Sequence, residues 1–458
     1  MSKSSASNSP GDSSTNSSAA AYPPVGYACY VVFILFLAYT VSSIDRQILT
    51  LMIDPVREDL DLSDVQISLL QGFAFSVLFS VVGLPVSRLA DRKNRRNIIA
   101  IGVSFWCLMT ALCGYAQNFM QLFLARMGVG VGEATLTPTA TSMISDYFEP
   151  RSRGMALSIF YLGYPIGGGA ALIIGAFVLS LLEGMESVHL SFLGTFKPWQ
   201  AAFLIVGIPG LLITVLMYTV KEPIRRGMLE LDGMGVVEKV SLGQLWAYIK
   251  LNGKAYRAHI SAVTLMSVLS FGVGMWFPTF FMRTYGLTAG EAGYYYGSVV
   301  IVSGTLGLVF GGWLSRYLRD RGYIDANFRV LMLATAGKAG YIIAPLMPTA
   351  ELALLVLFPT NLFSSMVPGV NMAALHDITP NQMRGQMSAI MLFFVNMVGM
   401  TVGGVLVASF TDYVFQDPDS LRYSLSWSAA IVVPIVALIL YRGMSAFRES
   451  LRKYGQME

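Results

Sequence analysis

Apolar residues in this chain gather into long, nearly unbroken runs, and polar residues are confined to the short segments between them. A bilayer core requires about 20 apolar residues per helix. That length predicts twelve membrane helices, near 27–53, 64–89, 97–114, 119–146, 153–182 and 199–220, then 257–285, 290–318, 328–347, 352–378, 382–412 and 422–444. The longest polar segment, 221–256, falls between the sixth and seventh. Within it Leu242, Leu245, Trp246 and Ile249 recur at helical spacing beside Lys250, which suits an amphipathic helix on the membrane surface or a plain linker. The expected organisation is a disordered tail over 1–24, a six-helix bundle over 25–220, the linker over 221–256, a second bundle over 257–445 and a tail over 446–458. The Ser- and Pro-rich first residues have neither core-forming side chains nor the apolar centre of a signal peptide, so helix 1 is expected to direct its own insertion.

Composition supports lipid as the solvent. Of 458 residues, 54% are hydrophobic and 13% charged, against about 25% charged in a soluble domain. A net charge of +4 gives no footprint for nucleic acid. Cys29, Cys107 and Cys113 all lie in apolar stretches, an odd set that suits small core residues better than disulfides. Basic residues cluster in alternate loops: Arg88, Arg92, Lys93, Arg95 and Arg96 after helix 2, seven more between Lys221 and Arg257, three after helix 8, and Arg448, Arg452 and Lys453 at the end. The opposite loops are nearly bare of them, with Arg57 set among Asp54, Glu58, Asp59, Asp61 and Asp64. The positive-inside rule then places both termini and the linker in the cytoplasm.

An internal repeat divides the chain. Asp146, Arg153 and Gly154 after helix 4 recur as Asp377, Arg384 and Gly385 after helix 10, each pair separated by 231 positions. Ser87-Arg88 is echoed by Ser315-Arg316. Two pseudo-symmetric six-helix bundles follow, an all-α integral membrane protein.

No phosphate loop, metalloprotease motif or nucleophile elbow is present, and the three histidines are scattered, so no enzyme, metal or cofactor is expected. Without a nucleotide site, a solute or ion gradient must supply the energy. Ionisable residues deep in lipid are costly and mark functional sites. Helix 1 carries Asp45 and Arg46, with Asp45 placed nearer the outer surface; helix 4 carries Arg126 and Glu133, two turns apart on one face. Two readings of these charges are open: a proton-dependent switch in which an acid releases its arginine, or a static cluster that locks the bundle. Glycines at 128, 130 and 132 suit close helix packing, as does the cluster around Tyr161, Pro165 and Gly167 in helix 5.

Asp91, Arg92 and Arg95, with Arg153 and Arg384 of the repeat, are candidates for a cytoplasmic gate, although a basic loop can also be purely topogenic. Trp276, Asn361, Ser364 and Asn371 join Tyr161 and Pro165 as candidate cavity contacts. Lys338 stands alone in helix 9, either snorkelling or binding an anionic headgroup.

The loop Ser87-Arg-Leu89-Ala-Asp91-Arg92-Lys-Asn94-Arg95-Arg96 resembles the major facilitator superfamily motif G-x-L-x-D-R-x-G-R-R, with Ser87 and Asn94 replacing its glycines. Arg126 with Gly130 and Gly132 is similar to that superfamily's helix 4 motif. Asp45-Arg46, Gly130-Val-Gly132-Glu133-Ala134 and Ser158-Ile-Phe-Tyr161 with Pro165 and Gly167 resemble the Spinster family, most strongly over 40–175. The resemblance implies the major facilitator fold, alternating access and a sphingosine-1-phosphate or lysophospholipid type of substrate. It also implies coupling and binding roles for Asp45, Arg46, Arg126 and Glu133. The expected protein is a proton-coupled carrier in the bacterial inner membrane, a monomer whose partners are an amphiphilic substrate, protons and membrane lipid. A drug or metabolite exporter and an uncoupled facilitator remain open alternatives.

Overall fold

The computed structural model describes residues 22–90, 92–182, 184–190, 194–225 and 242–455. The expected tail over 1–24 and the centre of the linker fall largely outside them. Twelve spans are present. Helix 1 runs Val25–Gln47 and tightens into a 3₁₀ turn, Ile48–Leu51. Helix 2 starts at Asp64 and reaches Ala90 through a π turn at Leu69–Phe73. Helix 3 is Arg95–Cys113, helix 5 Pro150–Leu182 and helix 6 Pro198–Thr219. Helix 4 comes in two pieces, Phe119–Glu133 and Leu136–Tyr147. After a short helix at Leu242–Leu251, helices 7 and 8 are Gly253–Tyr285 and Ala289–Asp320. Helix 9 breaks after Gly337 and ends at Leu346, and helix 10 breaks between Ser365 and Val367. Helix 11 extends from Arg384 to Phe415 with two π turns.

Helix 12 is Leu421–Gly455, longer than the expected end at 444: its charged last turns carry no helix breaker, so they continue the helix beyond the apolar run. A short helix at Ile53–Leu60 and an antiparallel pair, Val188–Leu190 with Gly194–Phe196, add structure to loops for which apolar length gives no signal.

Two of these breaks repeat the sequence symmetry. Pro138 has no amide hydrogen to give the Ala134 carbonyl, and helix 4 is interrupted at Ala134–Thr135. Pro368 does the same to the Ser364 carbonyl, and helix 10 is interrupted at Met366. Glu133 ends the first half of helix 4, and Ser364, 231 positions later, is the last residue but one of the first half of helix 10.

The bundles meet at the side away from the termini. One buried apolar core there is continuous across both, uniting Ile48–Ile53, Leu70 and Leu172–Leu182 of the first bundle with Met275, Phe277 and Val407 of the second. A separate core, including Val31, Ile99, Tyr147 and Ile213, fills the terminal half of the first bundle. Helices 5 and 8 cross closely: a Cβ at Gly297 would lie 2.8 Å from the Gly169 carbonyl oxygen, so glycine is required for the approach. Their contact continues away from the termini to Gly293 against Leu172 and towards them as far as Gly304 against Pro165. Nearer the termini, Gly154 on helix 5 has nothing within 4 Å of a Cβ position, and Met155 beside it is 74% exposed.

Polar ties secure the joined side. Arg283 of helix 7 donates to Asp54 Oδ1 at 2.6 Å and to Asp64 Oδ2 at 2.8 Å, and Asp412 accepts from the Val65 amide at 2.8 Å. Asp54 and Asp64, read in sequence only as part of a base-poor loop, thus join the two halves.

On the terminal side, Asp325 at the start of helix 9 accepts from Arg329 at 2.9 Å and Arg448 at 2.7 Å. Burial pushes its carboxyl up, but the two guanidiniums outweigh that and hold it below the usual carboxylate value. A folded value below the unfolded one gives stability present above pH about 4 and lost as the pH falls through the folded value. Asp325→Asn is expected to cost about 1–2 kcal/mol at pH 7, kept small by the exposure of both arginines. Thermal melting in detergent should show this difference between variant and wild type narrowing at acid pH.

Candidate functional site

The first bundle gathers its deep charges at one place between helices 1 and 4. Arg46 Nε lies 2.8 Å from Glu133 Oε2, and Ser42 Oγ donates to the same oxygen at 2.6 Å. Arg46 Nη2 donates to Ser42 Oγ at 2.8 Å, closing a triangle of three side chains. Ser42 and Arg46 stand four residues apart and share one face of helix 1. Glu133 reaches them because the helix 4 glycines allow close packing: a Cβ at Gly130 would strike the Phe75 backbone of helix 2. The Arg46 guanidinium also lies over the rings of Phe75 at 5.4 Å, Phe79 at 5.9 Å and Tyr164 at 6.0 Å, so an aromatic wall borders the ion pair.

The structure decides how the remaining charges are placed. Arg126 forms no ion pair with Glu133; its Nη1 donates to the Asp45 backbone carbonyl at 3.2 Å, and its Nε has no partner. Two turns along helix 4 separate Arg126 from Glu133, whereas Arg46 approaches from the facing helix. Asp45 is fully buried in the protein, and both its carboxyl oxygens lack hydrogen bonds. A buried carboxyl without hydrogen bonds is costly, and among the described residues its charge is answered only by the nearby Arg46 and Arg126. Glu133 is itself buried, so the helix 4 glycines serve packing and do not expose it.

The proposed gate residues do not come together as one unit. Asp91 lies outside the described residues, and Arg92 is exposed. Arg95 is buried and tied within its own bundle, to Asp146 at 2.5 Å and Glu222 at 2.8 Å. Arg153 Nε has no partner, and Arg384 Nε donates to the Thr379 carbonyl at 3.1 Å. Asp146 is thus the helix 4 residue that holds the basic loop in place, a role its repeat spacing to Asp377 marks but does not explain. Asp377 is held in the corresponding way, accepting from Asn327 at 2.6 Å.

Among the cavity candidates, Tyr161 is 41% exposed and stands edge-on to Tyr39, and Pro165 packs on Gly304 at the crossing of the bundles. Trp276 is not a cavity residue. It is fully buried, donates to the Gly404 carbonyl at 3.3 Å and lies beneath Arg283 on the joined side. Asn371 is buried in helix 10. Asn361 and Ser364 cluster with Lys338, whose Nζ donates to Ser364 Oγ at 2.6 Å and Ser270 Oγ at 2.5 Å. Lys338 therefore does not snorkel: it is 1% exposed. Ser270 was missed in sequence, because a serine in an apolar helix carries no signal until a partner faces it. No cluster of metal-binding residues occurs among the described residues.

The profile of the Major Facilitator Superfamily matches residues 35–404. An MFS-type efflux pump of Mycolicibacterium smegmatis is 28% identical over 84% of this chain and 85% of its own length. The Drosophila melanogaster protein spinster is 25% identical over 64% of this chain, a match that spans 46% of that protein. A bacterial homolog of the human lysosomal transporter Spinster has the same fold, with a TM-score of 0.76 over 95% of this chain and 99% of that one at 23% identity. This chain is a multi-pass membrane protein that belongs to the Major Facilitator Superfamily and is similar to its Spinster transporters.

Proposed function

We propose that this protein is a secondary active transporter that moves an anionic amphiphile, of lysophospholipid or sphingosine-1-phosphate type, across the membrane by alternating access coupled to protons. The observation that carries the reading is the buried Arg46–Glu133–Ser42 triangle beside the unpartnered carboxyl of Asp45. A proton arriving on Glu133 removes the charge that holds Arg46, and the freed guanidinium can take an anionic headgroup. The rings of Phe75, Phe79 and Tyr164 around Arg46 give an apolar chain a surface next to that headgroup. Asp45, one residue before Arg46 and within reach of Arg126, is the second proton acceptor.

The basic loops support cytoplasmic termini, in a bacterial inner membrane, and the side where Gly154 and Met155 of helix 5 stand apart is then the inward one. In this conformation the ties at Arg283 and Asp412 close the outer side. The gate role of Asp91, Arg92 and Arg95 belongs to the opposite, outward-open state, and the carrier works as a monomer. A second reading, export of drugs or metabolites, draws on the match to an efflux pump over most of both chains.

Uptake of a fluorescent lysophospholipid into proteoliposomes, with and without an imposed pH gradient, tests the proposal. Accumulation that depends on the gradient is the expected result. Uptake indifferent to it would replace coupled transport by facilitation. Absence of lysophospholipid uptake, with drug transport retained, would leave the exporter reading.

A further inference from the structure

The second bundle buries an ammonium with no acid among the described residues to answer it. Lys338 lies where helix 9 is interrupted, and its Nζ donates to two hydroxyls, Ser270 of helix 7 and Ser364 of helix 10. Among the described residues it forms no ion pair, and its other neighbour is the ring of Tyr341 at 5.7 Å. A charge withdrawn from water with only neutral partners is costly, and such a group in a membrane span marks a function.

The first bundle offers a contrast, although its cation comes from helix 1 and that of the second bundle from helix 9. In the first bundle Ser42 of helix 1 and Glu133 of helix 4 bond each other, and the cation Arg46 joins them. In the second, Ser270 of helix 7 and Ser364 of helix 10 lie 3.1 Å apart, and the cation Lys338 joins them. Ser364 lies 231 positions after Glu133, one residue before the end of the corresponding half-helix. The first triangle carries its own acid; the second has a serine in that place.

Donors around Lys338 are left over as well. Asn361, one turn before Ser364, is 8% exposed; its Oδ1 accepts from Tyr341 at 2.8 Å, while its Nδ2 has no partner. One turn beyond Ser270 on the same face of helix 7, Gly274 has nothing within 4 Å of a Cβ position. Gly274 thus leaves room on the face of helix 7 that carries Ser270.

We infer that Lys338, with Ser270, Ser364 and Asn361, forms an anion-binding site in the second bundle, and that the transported molecule supplies the missing acid as a phosphate or carboxylate. This rests on the transport reading above and extends it: substrate is held from both bundles, by Arg46 in one and Lys338 in the other. An ammonium on hydroxyls exchanges them for an anion with little rearrangement, because the serines can turn to donate to the same oxygens.

Calorimetric titration of the purified full-length protein with lysophosphatidylglycerol, and separately with D-glucuronate, tests the site. Wild type is expected to bind at least one. Lys338→Gln should weaken that binding by about tenfold or more, and Lys338→Arg should restore most of it. Binding of the lysolipid alone identifies a headgroup phosphate. Binding of glucuronate alone supports the anion site while removing the lipid reading. Wild-type affinity in Lys338→Gln, or no binding of either anion by wild type, would overturn the inference. Lys338→Met is expected to melt at or above the wild-type temperature, since it removes an unpaired buried charge. A markedly lower melting temperature would make the lysine a structural tie and overturn the site equally.

Discussion

Glu133→Gln is expected to abolish uptake driven by a pH gradient while leaving exchange of substrate across a symmetric membrane. Glutamine preserves the volume of the side chain and an oxygen for Ser42 Oγ, which now donates at 2.6 Å to the carboxylate. It removes the charge that faces Arg46 at 2.8 Å and the site where a proton can bind. Arg46 retains Ser42 and the faces of Phe75, Phe79 and Tyr164, so the variant should lose only about 1–2 kcal/mol of stability. Gradient-driven accumulation is expected to fall by at least about tenfold, the loss of a coupling step rather than of a contact. Parallel uptake and counterflow assays in proteoliposomes separate the two. If the variant accumulates substrate as wild type does, coupling runs elsewhere, and Asp45 becomes the residue to replace next.

Arg283→Gln is expected to release the side that the present conformation holds shut. Asp64 is fully buried and bonds Arg283 at 2.8 Å, while Arg57 stands 3.6 Å away and can answer only part of its charge. Asp54, on the other side of the same guanidinium, loses its partner at 2.6 Å. Breaking a largely buried pair from one side costs about 3–5 kcal/mol, and the help from Arg57 brings this to about 2–3 kcal/mol. Conformations open on that side should gain roughly 30- to 150-fold relative to the closed one. Ser68 reports the change: it is fully buried between helices 2 and 11, close to Gly404. A Ser68→Cys probe, in a background with Cys29 replaced, should react faster with a membrane-impermeant maleimide when Arg283→Gln is added. Equal labelling rates would show that the apolar core, and not the ion pairs, keeps this side closed.

The sequence by itself determined the twelve spans, the division into two bundles and the identity of the costly charges. Those properties depend on local physics: apolar length sets a helix in lipid, and an ionisable residue within such a run stands out wherever it points. Pairing was a different matter. Periodicity placed Arg126 and Glu133 on one face of helix 4, yet Glu133 binds Arg46 on the facing helix, because a salt bridge is chosen by the helices that meet and not by residues that share a face. Arg95 looked like part of a gate and is instead enclosed with Asp146 and Glu222, which come from two other segments. Trp276 looked like a substrate contact and is packed against helix 11 on the closed side.

Only the tertiary structure could show that Asp54 and Asp64 tie one bundle to the other through Arg283, residues separated from it by more than 200 positions of chain. It alone brought Ser270 and Ser364 to Lys338. Which side is open also lies beyond sequence. Both states of an alternating carrier use the same helices, and they differ only in which surfaces of the two bundles touch.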